Sequence, residues 1–226
     1  HFTPKAIGYR INFALDPDSY KYTIMPGDSQ SYKSKYLQAA IKRLSELGYC
    51  TYEGNESVYS EPLVQAAVKF QVINGISNTG NIGKTTWRTL FSENAKPMVS
   101  EWEYPQVLAD YEARKALEKE AEEKLANVKI KASSAAVKGA MKLSWTVTDK
   151  ASGEAVTEGI DGYEIYKSTS KTSGYSFLNS TGGKAFKNTT KLTKGKRYYY
   201  KIRAYKLVGD EKIYSAYSNV TYKIAK

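Results

Sequence analysis

The spacing of apolar residues changes once along this chain, at Asn127, from every three or four positions to every second position. A helix buries one face at a period of about 3.6 and a strand at a period of about 2, so neither pattern can serve as the other. The chain is therefore expected to be multidomain, with a helical part followed by an all-β part. After Asn127 the alternation runs through Val128, Ile130 and Ala132, then Met141, Leu143, Trp145 and Val147. It resumes at Tyr163 and Ile165, at Tyr198, Tyr200, Ile202 and Ala204, and at Tyr222 and Ile224. Glycine-bearing turn signals fall between these runs, at Lys138-Gly139, Ser152-Gly153, Asp161-Gly162, Gly182-Gly183, Lys194-Gly195 and Gly209-Asp210. Seven or so short strands in about 100 residues predict a two-sheet sandwich.

Before Asn127 the pattern is helical. Tyr36, Leu37, Ala40, Ile41, Leu44 and Leu47 share one face, and Gly48 follows where a helix C-terminus wants a left-handed residue. Pro62 suits the first turn of a second helix, whose stripe is Leu63, Ala66, Ala67 and Phe70 and whose stop is Asn74-Gly75. Thr85–Leu90 opens a short third helix carrying Trp87 and Leu90. These three predict a small bundle over residues 24–97. Residues 98–127 read as a charged helical spacer, one helix from Pro105 to Ala126 rich in Ala, Glu, Lys and Leu. Residues 1–23 are tyrosine-rich and read as an N-terminal segment, the tail of a preceding domain.

Charge follows the same borders. Residues 1–97 carry 11 basic and 8 acidic side chains, residues 98–127 carry 4 and 8, and residues 128–226 carry 19 and 7. A module at net +12 is drawn to polyanions. The sole histidine is His1 and the sole cysteine is Cys50. An intramolecular disulfide is excluded, and so are hydrolases whose nucleophile relies on an internal imidazole. Cys50, without such a partner, reads as a small core side chain. No catalytic residue, metal site or cofactor is expected. No apolar run reaches the roughly 18 residues that would cross a bilayer, and no nucleic-acid-reading motif accompanies the positive charge. The first residues, His1-Phe2-Thr3-Pro4, lack a leading Met and read as a mature or trimmed fragment.

Two resemblances follow from particular residues. Residues 24–92 resemble the type 1 peptidoglycan-binding domain through Pro26-Gly27-Asp28-Ser29, Leu37-Gln38, Leu44-x-x-Leu47-Gly48-Tyr49, Ala66–Gln71, Asn74-Gly75-Ile76, Thr79-Gly80-x-Ile82-Gly83 and Thr86-Trp87-x-x-Leu90. Asn55–Ser60 departs from the family's glycine-bearing loop before the second helix. The resemblance implies attachment to peptidoglycan through glycan or stem peptide. Tyr52, Asn55 and Tyr59 in that loop, with Gln71 and Asn78, are the candidate ligand-binding residues. Residues 128–226 resemble the fibronectin type III family in its bacterial surface form. The residues that carry this are Leu143-Ser144-Trp145, Gly162–Ser168, Leu192-x-x-Gly195-x-x-Tyr198 and Ser218-Asn219-Val220. This implies an immunoglobulin-like sandwich in which Trp145 and Tyr198 are structural.

Together these readings predict a non-catalytic binding or scaffolding protein, secreted and associated with the bacterial cell wall. Its partners would be peptidoglycan, with anionic wall polymers or surface proteins beside it, and neither nucleic acid nor a membrane span. Two other readings fit the same residues: the accessory part of a larger wall hydrolase or amidase, and a surface adhesin that binds protein rather than glycan.

Overall fold

The computed structural model describes residues 20–29, 34–54 and 56–226. Among the described residues four helices precede eight strands, and the chain divides into two compact units between Glu112 and Ala113. Most of the expected N-terminal segment, residues 1–19, lies outside the described residues.

In the first unit α1 is Ser34–Glu46, α2 is Glu61–Ile73 and α3 is Lys84–Leu90. The first two end alike. Gly48 at φ +85° lets the Tyr49 N–H return to the Leu44 carbonyl (2.9 Å), and Gly75 at φ +70° lets the Ile76 N–H return to the Gln71 carbonyl (2.9 Å). Such closures satisfy carbonyls the helix leaves open. The apolar faces meet around Trp87, Phe70, Ile41, Leu44 and Leu90, all within 1% of full burial. The start of the described chain joins this core, since Tyr20 stacks on Trp87 at 4.3 Å with the rings 6° apart. The Tyr20 hydroxyl donates to the Ile82 carbonyl (2.8 Å), beside a two-residue bridge from Ile24 to Ile82.

Helix α4, Tyr104–Ala126, occupies the expected spacer. Its first half is anchored in the first unit, where Tyr104 and Val107 pack on the core and the Tyr111 hydroxyl donates to the Ile76 carbonyl (2.8 Å). Toward its end Ala121 and Leu125 are buried, Leu125 within the core of the second unit. Leu117, between these anchors, is 55% exposed, so the stripe read from the sequence is interrupted.

The second unit is a sandwich of two antiparallel sheets. One has the order β1 (Val128–Val137), β2 (Ala140–Asp149), β5 (Ala185–Asn188). The other runs β4 (Ser176–Thr181), β3 (Gly162–Ser168), β6 (Arg197–Val208), β7 (Glu211–Tyr214), and β8 (Thr221–Ile224) also pairs with β6. The inward residues of β2, β3 and β6 make the core, with Trp145 edge-on to Tyr163 at 5.3 Å. Between β7 and β8 the pairing with β6 continues through Ser215 and Ser218, by backbone and side chain together. Ala204 N–H donates to Ser215 Oγ (2.9 Å) and Ile202 N–H to Ser218 Oγ (3.0 Å). Asn219 reaches across to the edge of β1: its Oδ1 accepts from Ala132 N–H (2.8 Å) and its Nδ2 donates to the Ala132 carbonyl (3.0 Å).

Candidate functional site

The five residues singled out in the first unit do not form one surface. Tyr59 is fully buried. Its hydroxyl donates to the Gly80 carbonyl (2.6 Å), while its own backbone pairs with Gly27 and Asp28. Burial pushes this phenol well above the ordinary range, the Cys50, Glu61 and Tyr20 charges adding to it. Gln71 is also fully buried. It accepts from Gly80 N–H (2.8 Å) and donates to the Asn81 carbonyl (2.8 Å) and Thr86 Oγ1 (3.0 Å). The expectation that Tyr59 and Gln71 touch a ligand is therefore corrected. Their polar atoms hold the turn at Gly80, and buried polar groups must find such partners. Tyr52 is half-buried at the margin of the core and Asn78 is exposed, while Asn55 lies outside the described residues.

The turn so held shapes its neighbourhood. Gly80 has φ +74°, and a Cβ there would come within 2.7 Å of Val64 Cγ1, so only glycine fits. Beside it an open concavity of about 250 Å³ is lined by Ile76, Ser77, Thr79, Asn81, Lys84 and Thr85 among others. Sequence reasoning singled out none of these as ligand-binding, choosing only Asn78 between Ser77 and Thr79. Cys50 is half-buried, and burial with the Glu56 charge pushes its thiol up to about 11, in line with an inert side chain.

The sandwich carries a second cluster, which the sequence did not mark. Alternation along β6 turns Tyr199, Lys201, Arg203 and Tyr205 away from the core. The register sets Arg203 opposite Glu164 of β3, and Tyr205 opposite Tyr214 of β7. Glu164 is only 5% exposed although it points outward, because tyrosines and cations cover it. Its Oε2 accepts from Arg203 Nη2 (2.8 Å), Arg203 Nε (3.1 Å) and the Tyr166 hydroxyl (2.8 Å). Its Oε1 accepts from Lys212 Nζ (3.0 Å) and the Tyr214 hydroxyl (3.0 Å). Burial alone would raise this carboxyl, but the bonds from Arg203, Tyr166, Lys212 and Tyr214 outweigh it and hold it at about 2. Around this centre the cations lie on ring faces. The Arg203 guanidinium is 3.4 Å from the Tyr214 centroid, and Lys201 Nζ is 3.7 Å from that of Tyr217 and 4.6 Å from that of Tyr175. Each such contact contributes about 0.5–2 kcal/mol according to its exposure. The one carboxylate of the arrangement is thus fully engaged by donors.

No family model matches the chain, and no curated protein matches it. Among solved structures it is similar to a Fn3-like protein from Clostridium thermocellum at 17% identity, over 41% of this chain and 83% of that one, with a TM-score of 0.31. A human fibronectin type III domain is similar at 17% identity, over 49% of this chain and 80% of that one, with a TM-score of 0.38. The chain spans only 30% of a titin fragment that it matches at 17% identity over 42% of its own length, with a TM-score of 0.32. Likenesses this weak carry no weight by themselves. The strand order does: three strands β1-β2-β5 face a second sheet of β4-β3-β6 with β7 and β8 on one edge, and the Thr193 N–H donates to the Tyr198 hydroxyl at the entry to β6 (2.9 Å). Residues 128–226 form a fibronectin type III-like sandwich.

Proposed function

We propose that this chain is a non-catalytic binding and scaffolding part of a secreted bacterial cell-wall protein, attached to peptidoglycan through its helical unit. The observation that carries the reading is the Gly80 turn. Tyr59 and Gln71 fix it from inside, so Ser77, Thr79, Asn81 and Lys84 stand around a concavity large enough for one sugar ring or a stem-peptide side chain. Small polar groups on a rigid turn fix a ligand's orientation at little entropic cost. The order of the family's motif residues along α1 to α3 supports the same reading, as does the lack of an internal imidazole in the sequence. In this scheme the sandwich presents a binding face of its own.

The test is co-sedimentation with sacculi stripped of anionic polymers, at about 0.15 M salt so that loose charge attraction is screened. The chain is expected to pellet, and a Lys84→Glu, Thr79→Tyr variant to stay in solution. A chain that stays in solution itself overturns the reading.

A further inference from the structure

Donors and acceptors around Glu164 do not balance. Both carboxylate oxygens are taken, Oε2 by three donors and Oε1 by two. Lys201 has no carboxylate partner and donates no hydrogen bond among the described residues, although its ammonium carries three N–H groups. Lys212 uses only one of its three on Glu164. The surplus is entirely cationic donors, accessible to solvent and so open to oxyanions from outside.

A second observation extends the surplus. A cleft of about 550 Å³ in the same sandwich is lined by Lys129, Lys131, Lys150, Tyr217 and Asn219 among others, with no carboxylate in its lining. Tyr217 belongs to both features. Its ring meets Lys201 at 3.7 Å and Arg203 at 5.4 Å, and stands edge-on to Tyr166 at 5.4 Å. Cations thus run from the cleft past Tyr217 onto the outer face of β6, and the sole carboxylate of that cluster is covered. Repeated positive charge along a line matches a polymer with repeated negative charge.

We propose that the Tyr217 cleft and the adjoining face of β6 bind an anionic polysaccharide, whose carboxylate or phosphate groups are taken by Lys131, Lys201 and Lys212. The choice of polymer rests on the wall-binding reading above. A nucleic acid strand fits less well, because bases stack on open aromatic faces. Here Lys201 lies over Tyr217 and Tyr175, and Arg203 over Tyr214. Sugar rings with charged substituents need only the cations and the exposed ring edges.

The test is affinity electrophoresis of the full chain in gels containing polygalacturonate, with neutral dextran and a thymidine oligonucleotide as alternatives. Retardation by polygalacturonate alone is expected. Lys201→Ala and Tyr217→Ala should each weaken it about tenfold, the effect of one charge-assisted contact, with Tyr217→Phe restoring it. Lys187→Ala removes the same charge from β5, in the other sheet, and should change it less than about twofold. Unchanged melting temperatures would show that Lys201→Ala and Tyr217→Ala stay folded. If one does not, Lys131→Ala, at an exposed position, decides by the same tenfold criterion. Equal loss in the Lys187 and Lys201 variants overturns the proposal in favour of bulk charge. Binding of the oligonucleotide as tightly as the polysaccharide overturns it in favour of a general polyanion site, and no retardation refutes it outright. Retention on stripped sacculi that is lost in the Lys84→Glu, Thr79→Tyr variant but kept in Lys201→Ala reports the helical unit, so the two readings fail separately.

Discussion

Replacing Glu164 with Gln keeps the shape of the side chain and removes its charge. The carboxyl is held at about 2 against an ordinary value of 4.5, and its side chain is 6% exposed. A depression of that size corresponds to about 3 kcal/mol of folding stability near pH 7. Removing one partner from a buried ion pair gives an independent figure of about 3–5 kcal/mol. Both exceed what an exposed pair contributes, so the covered geometry decides the magnitude. The pH dependence has a definite sign. A group whose carboxyl is depressed by folding stabilises fully above its unfolded value, and that stability disappears as pH falls toward the folded value. The gap between the native chain and Glu164→Gln should therefore be constant above the unfolded value of 4.5, narrow as pH falls below it and close near about 2. A chain of two units need not unfold in one step. Urea unfolding should accordingly be followed through the amide protons of β3 and β6. A gap below about 1 kcal/mol near pH 7, or one unchanged near pH 3, would refute the assigned role of the cluster.

Two further outcomes follow from the first unit. Gly80→Ala combines a left-handed backbone with a 2.7 Å approach to Val64 and should cost roughly 2–4 kcal/mol, measured on the amides of α2; a loss below about 0.5 kcal/mol would contradict the fixed turn. Cys50, with its thiol near 11, should react with iodoacetamide at about pH 8 roughly a hundredfold more slowly than a free thiol, and faster as pH rises toward that value; prompt labelling would show the site to be open.

The parts of the fold legible in sequence are those whose pattern is local. Helices α1 to α3 announced themselves by stripe and stop, and β2, β3 and β6 by alternation, because each buries one face along consecutive residues. Strands β4 and β7 carry no fully buried residue in their span, so nothing in their composition sets them apart from loop. Two of the candidate residues, Tyr59 and Gln71, are buried for a related reason. Tyr59 sits among polar loop residues and Gln71 is a polar residue on a helix, and either composition suggests solvent. What buries them is a turn at Gly80, 21 and 9 residues further along the chain. The cluster at Glu164 is less legible still. Arg203 and Tyr214 are 39 and 50 residues away, and only the register of β3, β6 and β7 brings them together.

The amide of Asn219 has a consequence for crowded chains. An open sheet edge is a template on which another molecule's strand can add, the first step toward fibrous aggregates. At Ala132 both backbone groups of the β1 edge are already held by this one side chain. The opposite edge is four residues long and carries Lys187, with Lys184 just before it. Both edges of this sheet are thus poorer templates for an added strand than bare backbone would be.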